Sequence, residues 1–208
     1  MFSASLFQAK GVRKSRDTVL PRLNIALIPE DARLQAEIKG HAEYLSDGSD
    51  YRLGKRSMGH ATLAQYYLPE GVDVDALWED VRQEWKTDSL ELTLHETRAD
   101  PDGEFRWMRF QIDRTDGQID AFHQAVVTVL ARWGIEPISL HSEQYDPHVT
   151  LSHTDDIVMW ARLGDVPVPL RGSFRPVLGV SSPTGELLSV LRDVAEHRQA
   201  YRVSTPSP

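Results

Sequence analysis

Residues 60–63 read HATL and residues 148–151 read HVTL, and the reading of these two stretches organises the rest of the chain. With 8 His and 11 Thr in 208 residues, chance supplies about 0.4 copies of His-x-Thr, so one copy carries little. His95-Glu96-Thr97 is such a copy; with a charged middle residue and Arg98 after it, on the approach to a turn, it reads as a partly exposed strand residue. Requiring Leu after Thr lowers the chance expectation to about 0.05 copies, and two accidental occurrences to on the order of one in a thousand. His60 and His148 meet that requirement.

On a strand, side chains alternate between faces. His60 and Thr62 therefore share one face, with Ala61 and Leu63 behind them, and His148 and Thr150 repeat the arrangement with Val149 and Leu151 behind. Two such strands facing across a cleft would hold two imidazoles and two hydroxyls around one small group. A phosphodiester suits that set. One neutral imidazole takes a proton from water, the other, protonated, gives one to the departing oxygen, and the threonine hydroxyls donate to the non-bridging oxygens. The ordinary histidine pKa of about 6.5 fits both tasks near neutral pH.

Around the motifs, RLNIALI (22–28) has the apolar density of a buried strand, and Leu34, Ile38, Ala42 and Leu45 follow at helical spacing. A second helix is predicted over Val74, Leu77, Val81 and Trp85 with Asp73 as N-cap, and a third over Ile119, Phe122, Val126, Val129 and Trp133 with Gly134 ending it. Residues 90–113 read as two strands joined at Pro101-Asp102-Gly103, and 166–193 as strands around Pro183-Thr184-Gly185. Strands outnumber helices and hairpins are present, so the predicted class is α+β with mostly antiparallel sheet. The two motif strands, if equivalent, make the chain a pair of similar lobes. No low-complexity linker separates them. The expected organisation is a basic extension over 1–21, one bilobal domain over 22–192, and a helix end and tail over 193–208.

A 40% hydrophobic, 26% charged composition is that of an ordinary globular chain. No stretch reaches the roughly 18 apolar residues of a membrane span, and no apolar signal opens the sequence; the expectation is a cytoplasmic protein, acting as a monomer. Without cysteine there is no disulfide, thiolate nucleophile or thiolate metal site. The net charge of −8 argues against broad binding to a nucleic-acid backbone. A local basic loop is nevertheless present: Arg52, Lys55 and Arg56 lie just upstream of His60, either as a solvated loop or beside an anionic group.

Together, HATL, PHVTL and their surroundings resemble the two-histidine (2H) phosphoesterase superfamily, which includes bacterial RNA 2',3'-cyclic phosphodiesterases, also called 2'-5' RNA ligases. RLNIALIPE looks like that family's opening strand, RWMRFQI like the strand before its second long helix, and FRPVLGVSSPTGE like its closing strand and turn. The resemblance implies a pseudo-twofold bilobal fold with a central cleft and metal-independent, cofactor-free opening of a cyclic phosphodiester. The implied partner is a cyclic nucleotide or an RNA end carrying a cyclic phosphate. It makes His60 and His148 the catalytic pair and Thr62 and Thr150 the phosphate-binding hydroxyls. The chain departs from the family after each motif, with Gln65-Tyr66-Tyr67-Leu68 after the first and Ser152-His153, where Arg is common, after the second.

Other readings stand beside this one. A cleft of the same fold that binds nucleotide or RNA ends without turnover is one, and 2'-5' ligation, the reverse chemistry, is another. The spacing of His141, His148 and His153 invites a metal site, but His148 and His153 share a strand face only if a bulge intervenes, and HExxH is absent; His153 then reads as a polar residue behind the motif, with a supporting role open. Tyr66, Tyr67, Tyr145 and Phe174 either pack in the core or stack on a base; Tyr145 is the best candidate for the cleft rim, because Asp146-Pro147-His148 after it gives a rigid entry into the strand. Alternation does not say whether Arg106, Arg109, Arg171 and Arg175 face the cleft or solvent.

Overall fold

In the computed structural model, residues 20–46, 57–138 and 145–195 are described. Strand β1 (Arg22–Pro29) leads to helix α1 (Ala32–Tyr44), the first motif strand β2 (Ala61–Tyr67) and helix α2 (Val74–Glu84). The hairpin β3 (Leu90–Asp102) and β4 (Phe105–Ile112) precedes helix α3 (Gln118–Arg132) and the second motif strand β5 (His148–Thr154). A short helix α4 (Ile157–Arg162) with a 3-10 turn (Leu163–Asp165) then leads to β6 (Leu170–Ser181) and β7 (Leu187–Asp193).

The helix signals work through ordinary capping. Asp31 accepts from the Arg33 N–H, and Asp73 from the N–H groups of Asp75 and Ala76. Gly134, at φ +68°, ends α3 in the left-handed conformation that favours glycine. Helix α1 buries Leu34, Ile38 and Ala42, and α3 buries Ile119, Phe122, Val126, Val129 and Leu130. The α2–α3 side is closed by Trp85, stacked on Phe122 at 5.1 Å and edge-on to Trp78 at 5.6 Å.

The strands run in the order β1-β2-β5-β4-β3-β6-β7, and β1 also pairs with β6, which closes the first six into a ring. Every pairing is antiparallel. The ring is uneven. Strand β1 holds β6 from Leu23↔Val180 to Pro29↔Phe174, whereas β2 meets β5 through Ala61↔Val149. That narrow junction lies within the two motifs. It divides the ring into halves, each with one motif strand, and fits the α+β, pseudo-twofold architecture that the sequence suggested.

Two details differ from the sequence reading. The hairpin turns at Gly103-Glu104 with Asp102 paired to Phe105, so Pro101 and Asp102 belong to β3. Helix α4 was not anticipated: its six residues are too few for a periodic apolar stripe, and Ile157 and Val158 are exposed.

Candidate active site

Both motif strands carry the same irregularity. Opposite β2, consecutive Ile25 and Ala26 pair with Ala64 and Thr62, leaving Leu63 extra; opposite β5, consecutive Met108 and Arg109 pair with Ser152 and Thr150, leaving Leu151 extra. Each HxTL therefore contains a β-bulge at its leucine, and both leucines are buried. A bulge resets the alternation. Cavity-facing positions step by two and then by three: His60, just before β2, with Thr62 and Gln65 on it, and His148, Thr150 and His153 on β5. This is the condition under which His148 and His153 share a face, and the second face-sharing residue, His153, lines the cleft rather than lying behind the motif.

Antiparallel pairing at Ala61↔Val149 sets His60 opposite Thr150 and Thr62 opposite His148, a square with the imidazoles on one diagonal. These four side chains line one cavity of about 700 Å³. The rings are held alike. His60 Nδ1 lies 2.7 Å from the Met58 carbonyl and His148 Nδ1 2.7 Å from the Asp146 carbonyl, each two residues back. A carbonyl only accepts, so Nδ1 carries the hydrogen and Nε2 is left as the basic nitrogen.

Burial lowers the pKa of both rings. For His60 the Met58 carbonyl works against burial, His148 adds to the lowering, and the Gly185 carbonyl opposes it. For His148 the Asp146 carbonyl opposes burial, the Arg109 charge adds to the lowering, and the carboxylates of Asp146 and Asp100 oppose it. Arg109 Nη1 is 2.9 Å from His148 Nδ1. A guanidinium only donates, so it cannot share that nitrogen's proton with the shorter carbonyl bond; its effect there is to resist a further proton on the ring.

Arg109 is itself clamped. Its Nε lies 2.5 Å from Asp100 and its Nη2 2.5 Å from Asp146. Burial works against ionisation of Asp146, but hydrogen bonds from Gln111 and Arg109 outweigh it and hold that carboxyl below its ordinary range. Gln111 also donates to the Pro147 carbonyl at 3.1 Å, which fixes the residue before His148. Before His60 the corresponding position is Gly59, whose N–H and C=O meet the Gln35 side-chain amide of α1 at 2.7 and 3.2 Å when that amide is oriented to satisfy both.

The β2 bulge frees backbone carbonyls, and side chains take them up. His123 Nδ1 donates to the Leu63 carbonyl (2.7 Å), and the Tyr145 hydroxyl donates to the Thr62 carbonyl (3.0 Å). The two rings stack at 3.8 Å, nearly parallel. Burial raises the Tyr145 pKa and lowers that of His123, so both stay neutral near pH 7. Tyr145 lines the cavity, as its position before Asp146-Pro147 suggested, with its hydroxyl committed to β2. Buried Asn24 donates to the Thr62 hydroxyl oxygen at 3.2 Å, directing that O–H toward other acceptors.

At the far end of the β3–β4 hairpin, His153 stacks on Trp107 at 4.0 Å and on Phe105 at 4.7 Å. Asp102 sits 3.0 Å from His153 Nε2 and accepts from the Trp107 indole N–H at 3.0 Å. Of the other aromatic candidates, Tyr66 and Phe174 are wholly buried and Tyr67 is exposed. Of the four arginines left open, Arg109 alone lines the cavity: Arg175 is ion-paired with Asp193, Arg106 lies over Trp160 at 5.0 Å, and Arg171 is exposed. His95 is exposed. Arg52, Lys55 and Arg56, with His141, lie outside the described residues. Among the described residues no group of three or more His, Asp or Glu is placed to hold a metal ion, and no helix is long and apolar enough to cross a membrane.

No protein-family model matches the chain. No curated protein sequence matches it significantly either. Solved structures do. The chain resembles a structure described as a phosphoesterase, with a TM-score of 0.50 and 17% identity over 84% of this chain and 97% of the other. It resembles E. coli LigT complexed with phosphate at a TM-score of 0.51 and 17% identity, covering 85% of this chain and 97% of LigT. LigT complexed with 3'-AMP matches at 0.50 and 17% identity, over 84% and 96%.

Proposed function

Given a chain with the LigT-like, 2H phosphoesterase fold, we propose that its cleft opens a cyclic phosphodiester, the 2',3'-cyclic phosphate of an RNA end or nucleotide, using His60 and His148 as acid and base. One observation carries this reading: two bulged HxTL strands meet at Ala61↔Val149, each with its histidine Nδ1 tied to a carbonyl at 2.7 Å. The same tether on both rings leaves two basic nitrogens for one ligand. That LigT has been crystallised with phosphate and with 3'-AMP supports a nucleotide phosphate as the ligand class.

In the proposed reaction one neutral Nε2 takes a proton from water as its oxygen bonds to phosphorus. The other ring, protonated, delivers a proton to the ribose oxygen as the P–O bond breaks. The products are a phosphomonoester and a free hydroxyl, with the ring protonation states exchanged. Thr62 and Thr150 donate to the non-bridging oxygens, where charge builds up. Thr62 is prepared for this because Asn24 occupies its oxygen as a donor, leaving the hydroxyl hydrogen for the phosphate. With a 5'-hydroxyl in place of water as the attacking group, the same pair would join two RNA ends, the ring P–O bond breaking and its oxygen taking the proton.

The test is a metal-free assay of the full chain against nucleoside 2',3'-cyclic phosphates and cyclic-ended oligonucleotides between pH 5 and 8, with identification of the product isomer. Turnover giving one isomer is expected. Tight binding of the phosphomonoester with no turnover at any pH would instead make the cleft a binding module.

A further inference from the structure

Among the described lining residues, the two walls of the cavity differ in charge. The wall built from β3, β4 and the approach to β5 carries Asp100, Asp102 and Asp146 against Arg109, a net −2 with neutral histidines. Arg109 is spent on Asp100 and Asp146 at 2.5 Å each, and Asp102 on His153 and Trp107. This wall repels any anionic group beyond the one seated at the histidine–threonine square.

The opposite wall is formed by β1, β2 and the β6–β7 turn. Arg22 is its charged lining residue, and no carboxylate lines it among the described residues. The guanidinium donates to two neutral oxygens, the Gln65 side-chain carbonyl and the Pro183 backbone carbonyl. Its Nε is buried without a hydrogen bond among the described residues, as is that of Arg109, and what separates the two is the pair of carboxylates flanking Arg109. The nearest acidic residue of the turn in sequence, Glu186, accepts instead from Thr184 at 3.1 Å. A part-buried guanidinium held by neutral acceptors keeps its full charge for a ligand, unlike Arg109. Gln65 is also the position that the β2 bulge brings to the cavity face three residues beyond Thr62. Arg22 is thereby fixed one step along the same wall from the phosphate-facing hydroxyl.

We propose that Arg22 holds a second phosphate of the ligand, so that the cleft selects nucleotides carrying a phosphate in addition to the reacting cyclic one. The charge asymmetry also sets ligand direction. The added phosphate lies toward Arg22 and the β6–β7 turn, and the uncharged part of the nucleotide toward the Trp107–His153 stack. For an RNA end the added phosphate is the neighbouring diester. This rests on the reading of the His60/His148 square as the seat of the first phosphate.

The test is calorimetric titration of the full chain with a nucleoside 3'-monophosphate and the matching 3',5'-bisphosphate. Comparison is made between wild type, Arg22→Gln, Arg22→Lys and the charge-matched control Arg132→Gln, whose side chain pairs with Glu84 on the surface. A charge-assisted contact predicts bisphosphate binding about 10-fold tighter or more in wild type and in the Arg132 variant. The preference falls to about 1 in Arg22→Gln and is partly kept in Arg22→Lys. A wild-type ratio near 1, or an undiminished ratio in Arg22→Gln, overturns the proposal. If Arg22→Gln does not fold, the wild-type ratio and Arg22→Lys decide. An Arg22-dependent ratio in a protein that turns over no cyclic phosphate would sink the proposed reaction and leave this inference standing; turnover with a ratio of 1 would do the reverse.

Discussion

Gly59 is the residue at which a single methyl group should disturb the proposed site most cleanly. A Cβ built there lies 2.6 Å from Ile38 Cγ2 and 3.4 Å from Ile38 Cβ, with Gln35 Nε2 at 3.5 Å. Ordinary carbon contacts sit at about 3.5–4.0 Å, so Gly59→Ala must push β2's leading residues and α1 apart by about 1 Å. Ile38 is fully buried and cannot swing away. Overpacking of this kind costs about 1–3 kcal/mol. His60 follows directly, and a displacement of about 1 Å at a reacting group costs on the order of 100-fold in rate. The assay is a denaturant melt paired with kcat/KM on a 2',3'-cyclic nucleotide, for Gly59→Ala, Ile38→Leu and the double variant. Leucine has no branch at Cβ, so Ile38→Leu removes the colliding methyl, and the double variant should recover most of both losses. Gly59→Ala with wild-type stability and activity, or a double variant no better than the single, would refute the idea that Gly59 exists to let α1 approach the histidine.

Because burial lowers both His60 and His148 from about 6.5, the singly protonated pair should peak on the acid side of that value. The kcat/KM profile of the free enzyme is thus expected to be a bell centred below pH 6.5, and a maximum well above 7 would contradict the assignment. Stability should follow the same groups with a definite sign. Three histidines, His60, His123 and His148, have folded pKa values below the unfolded one, so between those values and about 6.5 the unfolded chain binds more protons. Unfolding free energy should fall as pH drops through that window and be flat above it on their account, measurable by melts from pH 8 to 5. Thr62→Val removes one proposed phosphate donor and should lower kcat by about 100-fold, with about 1–3 kcal/mol of stability lost because buried Asn24 is left without its acceptor, whereas Asn24→Ala should lose part of that activity by releasing the Thr62 hydroxyl. Arg109→Met leaves Asp100 and Asp146 facing one another; with both carboxylates partly solvated, about 1–3 kcal/mol of stability should go. The limb of the pH profile set by His148 should also move upward, since Arg109 no longer opposes its proton.

The doubled HxTL was enough to locate four cavity residues and both central strands, because alternation and rarity are local properties of a sequence. Its leucines were read as backing residues, and they are buried, yet their second role as bulges was invisible: a bulge is defined by the partner strand's register, which sequence spacing does not contain. That is why His153 and Gln65 were not placed in the cleft. Arg109 was one of four candidate arginines until pairing with Thr150 fixed its direction. Asn24 and His123 carried no signal, since each acts through a contact to β2 from a distant part of the chain. Tyr145 was found for the right place, through the rigid Asp146-Pro147 approach, while the partner of its hydroxyl needed the fold.

The central claim is that the two imidazoles work as one acid–base pair. It is tested most directly by metal-free turnover of a 2',3'-cyclic nucleotide by wild type, His60→Ala and His148→Ala, with the double variant for comparison. The account predicts that each single variant loses kcat by at least about 100-fold at unchanged fold, and that the double loses far less than the product of the two, as for groups acting in one step. A single variant that keeps full activity would contradict it.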